Sequence, residues 1–145
     1  MKRPVLLFAL LATPVCAAPD GAAIYKRCAA CHLPTGAGVP GAYPPLGADF
    51  ARLAGSPAGR RYIVLAVLRG VSGPITVAGK PFSGVMPAQG LDDASAAAVL
   101  NHVATRIAKA KAAPFTAAEI ASVRASGAGV TASAVGKLHA TVGGK

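Results

Sequence analysis

Two cysteines and a histidine carry the most specific chemistry in this 145-residue chain: Cys28-Ala-Ala-Cys31-His32. Residues three apart on a helix share a face. Both thiols can therefore reach the two vinyl groups on one edge of a porphyrin and form thioethers. His32 follows directly, and its imidazole can swing under the iron as an axial ligand. The C-x-x-C-H pattern thus reads as the attachment site of one covalent haem c. A thiol or zinc module fits poorly, because no βαβ pattern flanks the pair and no second ligand pair follows.

Iron held by His32 needs a sixth ligand if it is to exchange electrons without binding substrate. Met86 is the sole methionine besides the initiator and stands in Gly84-Val85-Met86-Pro87. A thioether there favours ferrous iron and raises the potential. The rivals are His102, which reads as a packing residue on a helix, and His139, which reads as a solvated histidine in a tail. The other ring nitrogen of His32 needs a carbonyl to fix its orientation. Pro44 or Pro45 can present one from a stiff loop. Arg52, Arg60, Arg61 and Lys80 read singly as surface charges, with haem propionates or acidic partners as the functional alternative.

The elements that must position these groups follow from caps and breakers. Asp20 caps a helix through Ile24, Tyr25 and Cys28. Residues 33–47 are rich in Gly and Pro, fit no regular element and suit a loop around a cofactor edge. A short helix over Asp49–Leu53 precedes a stronger one from Pro57 to Arg69, ended by Gly70 and apolar on nearly all sides. Ile75-Thr76-Val77 starts a small hairpin that turns at Ala78-Gly79, with its return strand cut short at Pro81. Asp92 or Asp93 caps a helix carrying Ala96, Val99, Leu100, Val103 and Ile107 on one stripe. Beyond Pro114, Thr116-Ala-Ala-Glu119 is a capping box for a short helix. Residues 126–145 read as an appendage or frayed tail.

Met1-Lys2-Arg3, an apolar run over Val5–Ala12 and small residues at Ala17 and Ala18 read as a secretory signal peptide over 1–18, cut after Ala17 or Ala18. A haem-carrying domain at 19–112 and an appendage at 113–145, partly helical or flexible, complete the division. No segment reads as a transmembrane span. Cys16 falls within the signal, which leaves Cys28 and Cys31 to haem in a compartment where they could otherwise pair. The chain has formal charge +10, and without Lys2 and Arg3 it keeps 13 basic against 5 acidic residues. That balance suits acidic protein partners or an anionic membrane face. The charges form no run, which argues against nucleic acid.

Together, Tyr25-Lys-Arg-Cys28-Ala-Ala-Cys31-His32, Gly36-Ala-Gly38, Pro44-Pro45-Leu46, Gly73-Pro74-Ile75-Thr76-Val77, Gly84-Val85-Met86-Pro87 and Val99-Leu100 resemble a monohaem class I c-type cytochrome over about residues 19–110. The likeness is nearest to the small cytochrome domains that serve periplasmic dehydrogenases, oxidases and nitrite reductases. The resemblance implies an all-α fold with terminal helices crossing beside the haem, here with a short hairpin and a C-terminal helical appendage. It implies thioethers at Cys28 and Cys31, iron ligation by His32 and Met86, and the Pro44 carbonyl on His32. Such chains commonly carry an aromatic where this one has His102, facing Tyr25, so the crossing is either looser here or bridged by a hydrogen bond. They often carry another where Gln89 stands.

The leading expectation is a periplasmic electron carrier, not an enzyme, that relays single electrons as a free shuttle or as a subunit of a dehydrogenase or oxidase peripherally held at a membrane. The alternative is a haem-based sensor or catalytic subunit in which Met86 leaves the iron to admit a small ligand.

Overall fold

The structure, a computed structural model, describes residues 17–143. The expected signal segment lies outside the described residues except for its last two positions. The order of elements is α1 (Gly21–His32), α2 (Ala48–Ala54), α3 (Pro57–Arg69), β1 (Val71–Val77), β2 (Lys80–Met86), α4 (Asp93–His102), a π-helical turn (Val103–Ile107), α5 (Ala117–Ser126) and α6 (Ala132–Thr141). None of the helices among the described residues is long and apolar enough to cross a membrane.

Caps set most of these boundaries. The Asp20 carboxylate accepts from the Ala22 and Ala23 amides, Ser56 from Gly59 and Asp92 from Ser95. Each satisfies a donor that the first helical turn leaves unpaired. Pro57 carries no such donor and needs no cap. At Gly70 α3 stops in a left-handed conformation with φ 81°.

Helix α1 crosses α4 at close range. A Cβ on Gly21 would stand 2.2 Å from the Ala98 carbonyl oxygen, so only glycine allows the approach. The crossing is therefore tight, contrary to the looser packing that His102 suggested. The His102 ring instead packs on Tyr25, with centroids 5.2 Å apart. No hydrogen bond joins the two rings among the described residues.

The hairpin is longer than the sequence suggested. Seven residues of β1 pair with seven of β2, from Val77–Lys80 at the turn to Val71–Met86 at the far end. Ala78 and Gly79 both have positive φ, 51° and 73°, as a two-residue primed turn requires. That turn makes Val77–Lys80 a hydrogen-bonded pair, and the alternation of the ladder makes Thr76–Pro81 and Pro74–Ser83 non-bonded pairs. Both prolines thus sit where their missing N–H would point out from the hairpin's edge. Pro81 does not end the strand, because the ladder asks nothing of its nitrogen.

The largest revision concerns the C-terminal segment. It is not a frayed tail: Ile120 and Val135 are completely buried and belong to the same hydrophobic cluster as Tyr25, Leu65 and Leu100. Burying each such side chain stabilises the fold by about 2 kcal/mol. Phe115, where the segment begins, is joined to Asn101 by a reciprocal pair of hydrogen bonds of 2.7 and 2.9 Å. The capping box is only half formed. Thr116 accepts from the Glu119 amide, but the Glu119 carboxylate turns away to Arg60, with contacts of 2.6 and 2.7 Å.

Candidate functional site

The last turn of α1, the loop after it, α3 and the hairpin enclose a cavity of about 330 Å³, a size typical of small-molecule sites. Cys28, Cys31, His32 and Met86 all line it, although 54 residues separate His32 from Met86.

Cys28 and Cys31 sit three apart on α1, half-buried and without a disulfide. Burial pushes the Cys28 thiol above its ordinary value, against the pull of neighbouring Arg27. His32 ends the helix and is buried. Its Nδ1 lies 2.8 Å from the Pro44 carbonyl oxygen. A carbonyl can only accept, so Nδ1 carries the proton and the Nε2 lone pair is free for a metal. Burial lowers the pKa of His32, with the carbonyl opposing in part, and the neutral ring is the ligating form.

The loop that delivers Pro44 is built on its backbone. The Gly38 amide donates to the His32 carbonyl at 3.0 Å, and Leu46 donates to Gly36 at 2.8 Å. Gly38 has φ 66°, and a Cβ there would meet the Tyr43 oxygen at 2.3 Å and the Pro44 oxygen at 2.8 Å. Glycine at 38 thus makes room for the carbonyl that holds His32. The Tyr25 hydroxyl donates to the Leu33 carbonyl at 2.8 Å, pinning the exit of α1.

Met86 approaches from the other side. Directly opposed residues of an antiparallel pair point to one face. Val71–Met86, Gly73–Gly84 and Ile75–Phe82 are such pairs, and all six residues line the cavity. A slip of one residue would turn Met86 outward. After Met86 the chain is tied down by Gln89, whose amide donates to the Val67 carbonyl at 2.9 Å and whose side chain donates to Pro87 at 2.6 Å. Arg27 donates to the Gln89 carbonyl at 2.9 Å and so links α1 to this loop. Gln89, the departure from the aromatic expected there, thus has its own positioning contact.

These residues suit a flat, largely apolar group attached through two thioethers: two unpaired thiols on one face, an imidazole with its outer nitrogen occupied, and a thioether across a hydrophobic gap. The family model for cytochrome c matches residues 18–106. The chain belongs to the cytochrome c family. A cytochrome c-552 of Thermus thermophilus is 44% identical over 130 residues, covering 86% of this chain and 88% of the relative. A second cytochrome c-552 of the same species is 45% identical over 111 residues, covering 73% of this chain and 85% of its own length. This cytochrome c carries one covalently bound haem c, and its activity is electron transfer rather than catalysis.

The cavity also contains groups that sequence reading missed. His139 is not solvated: it is 2% exposed, and its Nε2 donates to Asp49 Oδ2 at 2.8 Å. Burial pushes the Asp49 carboxyl up, but hydrogen bonds from His139 and Arg52 outweigh it and leave its pKa below the ordinary value. Tyr62 packs edge-on to His139, with centroids 5.1 Å apart. Burial and the Asp49 charge raise its pKa. No local signal marked this trio, because 90 residues separate Asp49 from His139. Three of the arginines read as surface charges are internal ties: Arg52 to Asp49, Arg60 to Glu119, and Arg61 to Ser126. Lys80 is exposed.

Proposed function

We propose that this cytochrome c relays single electrons between redox proteins of the periplasm, reached through the signal peptide at 1–18, with 19–112 as the electron-carrying domain and 113–145 as its helical appendage. Cys28 and Cys31 form the thioethers, His32 is the proximal ligand with the Pro44 carbonyl on its outer nitrogen, and Met86 is the sixth ligand. The observation that carries this assignment is the meeting of these four side chains around one cavity, with a single nitrogen of His32 left for iron. The bound haem supplies an iron that alternates between ferric and ferrous.

The protein's part is to keep that centre unchanged between the two states. Pro44 holds the His32 ring in one orientation. The hairpin face from Val71 to Val77 excludes water, which disfavours the more highly charged oxidised state. The register of β2 holds the Met86 sulfur toward the cavity.

The charge distribution supports docking to acidic partners. All five acidic residues are committed within the molecule. Asp20 and Asp92 cap helices, while Asp49, Asp93 and Glu119 pair with His139, Arg124 and Arg60. Asp20 and Asp92 stay exposed, but exposed Lys26, Lys80, Lys109, Lys111 and Lys137 outnumber them, so the outer field is positive and steers association. A peripheral site on a membrane oxidoreductase would use the same field.

The test is spectroscopic and kinetic. Mature protein should carry one covalent haem and, when ferric, show a Met–iron charge-transfer band. Met86→Ala should abolish the band, and Cys28→Ala should leave a single thioether. Electron transfer to an acidic redox partner should slow as salt rises over the range in which the Debye length shrinks below about 8 Å. A band that survives Met86→Ala would overturn the ligand assignment. Rates insensitive to salt would overturn the docking reading.

A further inference from the structure

The hairpin that ends in Met86 is gripped from outside the haem cavity as well as from within. Backbone groups of residues 71, 73, 75 and 77 face β2, so those of Ser72 and Thr76 turn to the free edge of β1. Helix α6 lies along that edge. Gly136 backs onto the Ser72 carbonyl so closely that a Cβ there would stand 2.3 Å from its oxygen and 3.7 Å from Val71 Cγ1. Val71 is the residue paired with Met86. On the same helix, His139 reaches past the hairpin to Asp49 of α2. Helix α6 is thus fastened both to the hairpin edge and to the frame across the cavity. A two-stranded hairpin has little stability of its own, so its position depends on what covers it.

We propose that α6 is a positioning element for the sixth iron ligand. Seated on Ser72 through Gly136 and latched to Asp49 through His139, it holds the Val71–Met86 end of the hairpin at the iron, and so sets how readily Met86 yields to an external ligand. This rests on the reading of Met86 as that ligand. The apparent affinity for an external ligand scales with the fraction of molecules in which Met86 has swung away. Loosening α6 at Gly136, which does not line the cavity, raises that fraction without altering a residue of the haem site.

Imidazole titration of the ferric holoprotein, followed by loss of the Met–iron charge-transfer band, tests this. Gly136→Val should raise the apparent imidazole affinity at least about tenfold, and His139→Gln about threefold, with covalent haem content unchanged. Ile120→Ala removes completely buried atoms from α5 and should lower the melting temperature while leaving imidazole affinity within about twofold. If Gly136→Val does not fold, His139→Gln decides. Unchanged affinity in the α6 variants, or an equal rise in Ile120→Ala, overturns the proposal. Met86→Ala reports on the underlying reading separately: it should lack the band and bind imidazole without competition. If it keeps the band, the ligand assignment itself fails.

Discussion

The loop after α1 and the segment beyond Pro114 wrap the same frame, but they are held by different kinds of bond. The loop is held by its backbone: Gly38 to His32, Leu46 to Gly36, and Val39 reciprocally to Tyr43. It has little apolar anchorage, and Val39 and Tyr43 are exposed. The C-terminal segment is held by side chains. Arg60 binds Glu119 and the carbonyls of Ala113 and Pro114, and its guanidinium lies 4.0 Å over the Phe115 ring. Arg124 ties α5 to Asp93 and Leu91, each at 2.8 Å. Ile120 and Val135 are buried beneath. Backbone ties fix an atom's place and tolerate no Cβ in the wrong position. Side-chain ties add stability and can be weakened one at a time. The loop accordingly governs the geometry at His32, and the segment governs how firmly the whole is closed.

Gly38→Ala should give the largest effect. Left-handed backbone and the clash with Tyr43 and Pro44 together cost about 3 kcal/mol, and the Pro44 carbonyl must move. The expected signature is a changed midpoint potential as well as a lower melting temperature. Lost stability at an unchanged potential would show that the loop does not govern His32. Arg60→Ala should cost about 2–3 kcal/mol in denaturant unfolding, because its side chain is only 15% exposed and Glu119 28%. The potential should stay at its original value, and a shift would erase the distinction between the two regions.

The smallest effect is one of pH. Hydrogen bonds from Arg60 hold the Glu119 pKa below its ordinary value, against burial. Its contribution is therefore complete above the unfolded carboxylate range and is lost as pH falls through the lowered folded value. Asp49 acts in the same direction. The melting temperature should fall on acidification, and Glu119→Gln should remove about 1 kcal/mol of that dependence. If the variant melts with the pH profile of the parent, Arg60 is held by the carbonyls of Ala113 and Pro114 alone.

What sequence made legible was local. Asp20 as a cap, Pro57 and Gly70 as the ends of α3, and the turn at Ala78-Gly79 each act within a few residues, so each could be read directly. The extent of β2 was underestimated, because whether Pro81 is tolerated depends on its place in the ladder, which its neighbours do not reveal. Glu119 matched a capping box because the pattern is local, yet a half-buried arginine 59 residues away offered it a stronger partner. His139 was misjudged for the same reason. A lone histidine in an Ala- and Gly-rich stretch has no visible partner until the fold brings Asp49 beside it. In α4 the helical stripe was legible, but the π-helical turn at Val103–Ile107, where the Ala108 amide bonds to Val103, left no mark in its spacing.

The latch between positions 49 and 139 also imposes an order in time. A chain is made from its N-terminus, so Cys28, Cys31 and His32 emerge well before His139. Until α6 is in place, Asp49 lacks the hydrogen bond from His139 and the cavity lacks the part of its wall that His139 supplies. The last residues of the chain thus complete a pocket whose attachment residues are among its first, and removing α6 leaves that wall unfinished although Cys28, Cys31, His32 and Met86 are all still present.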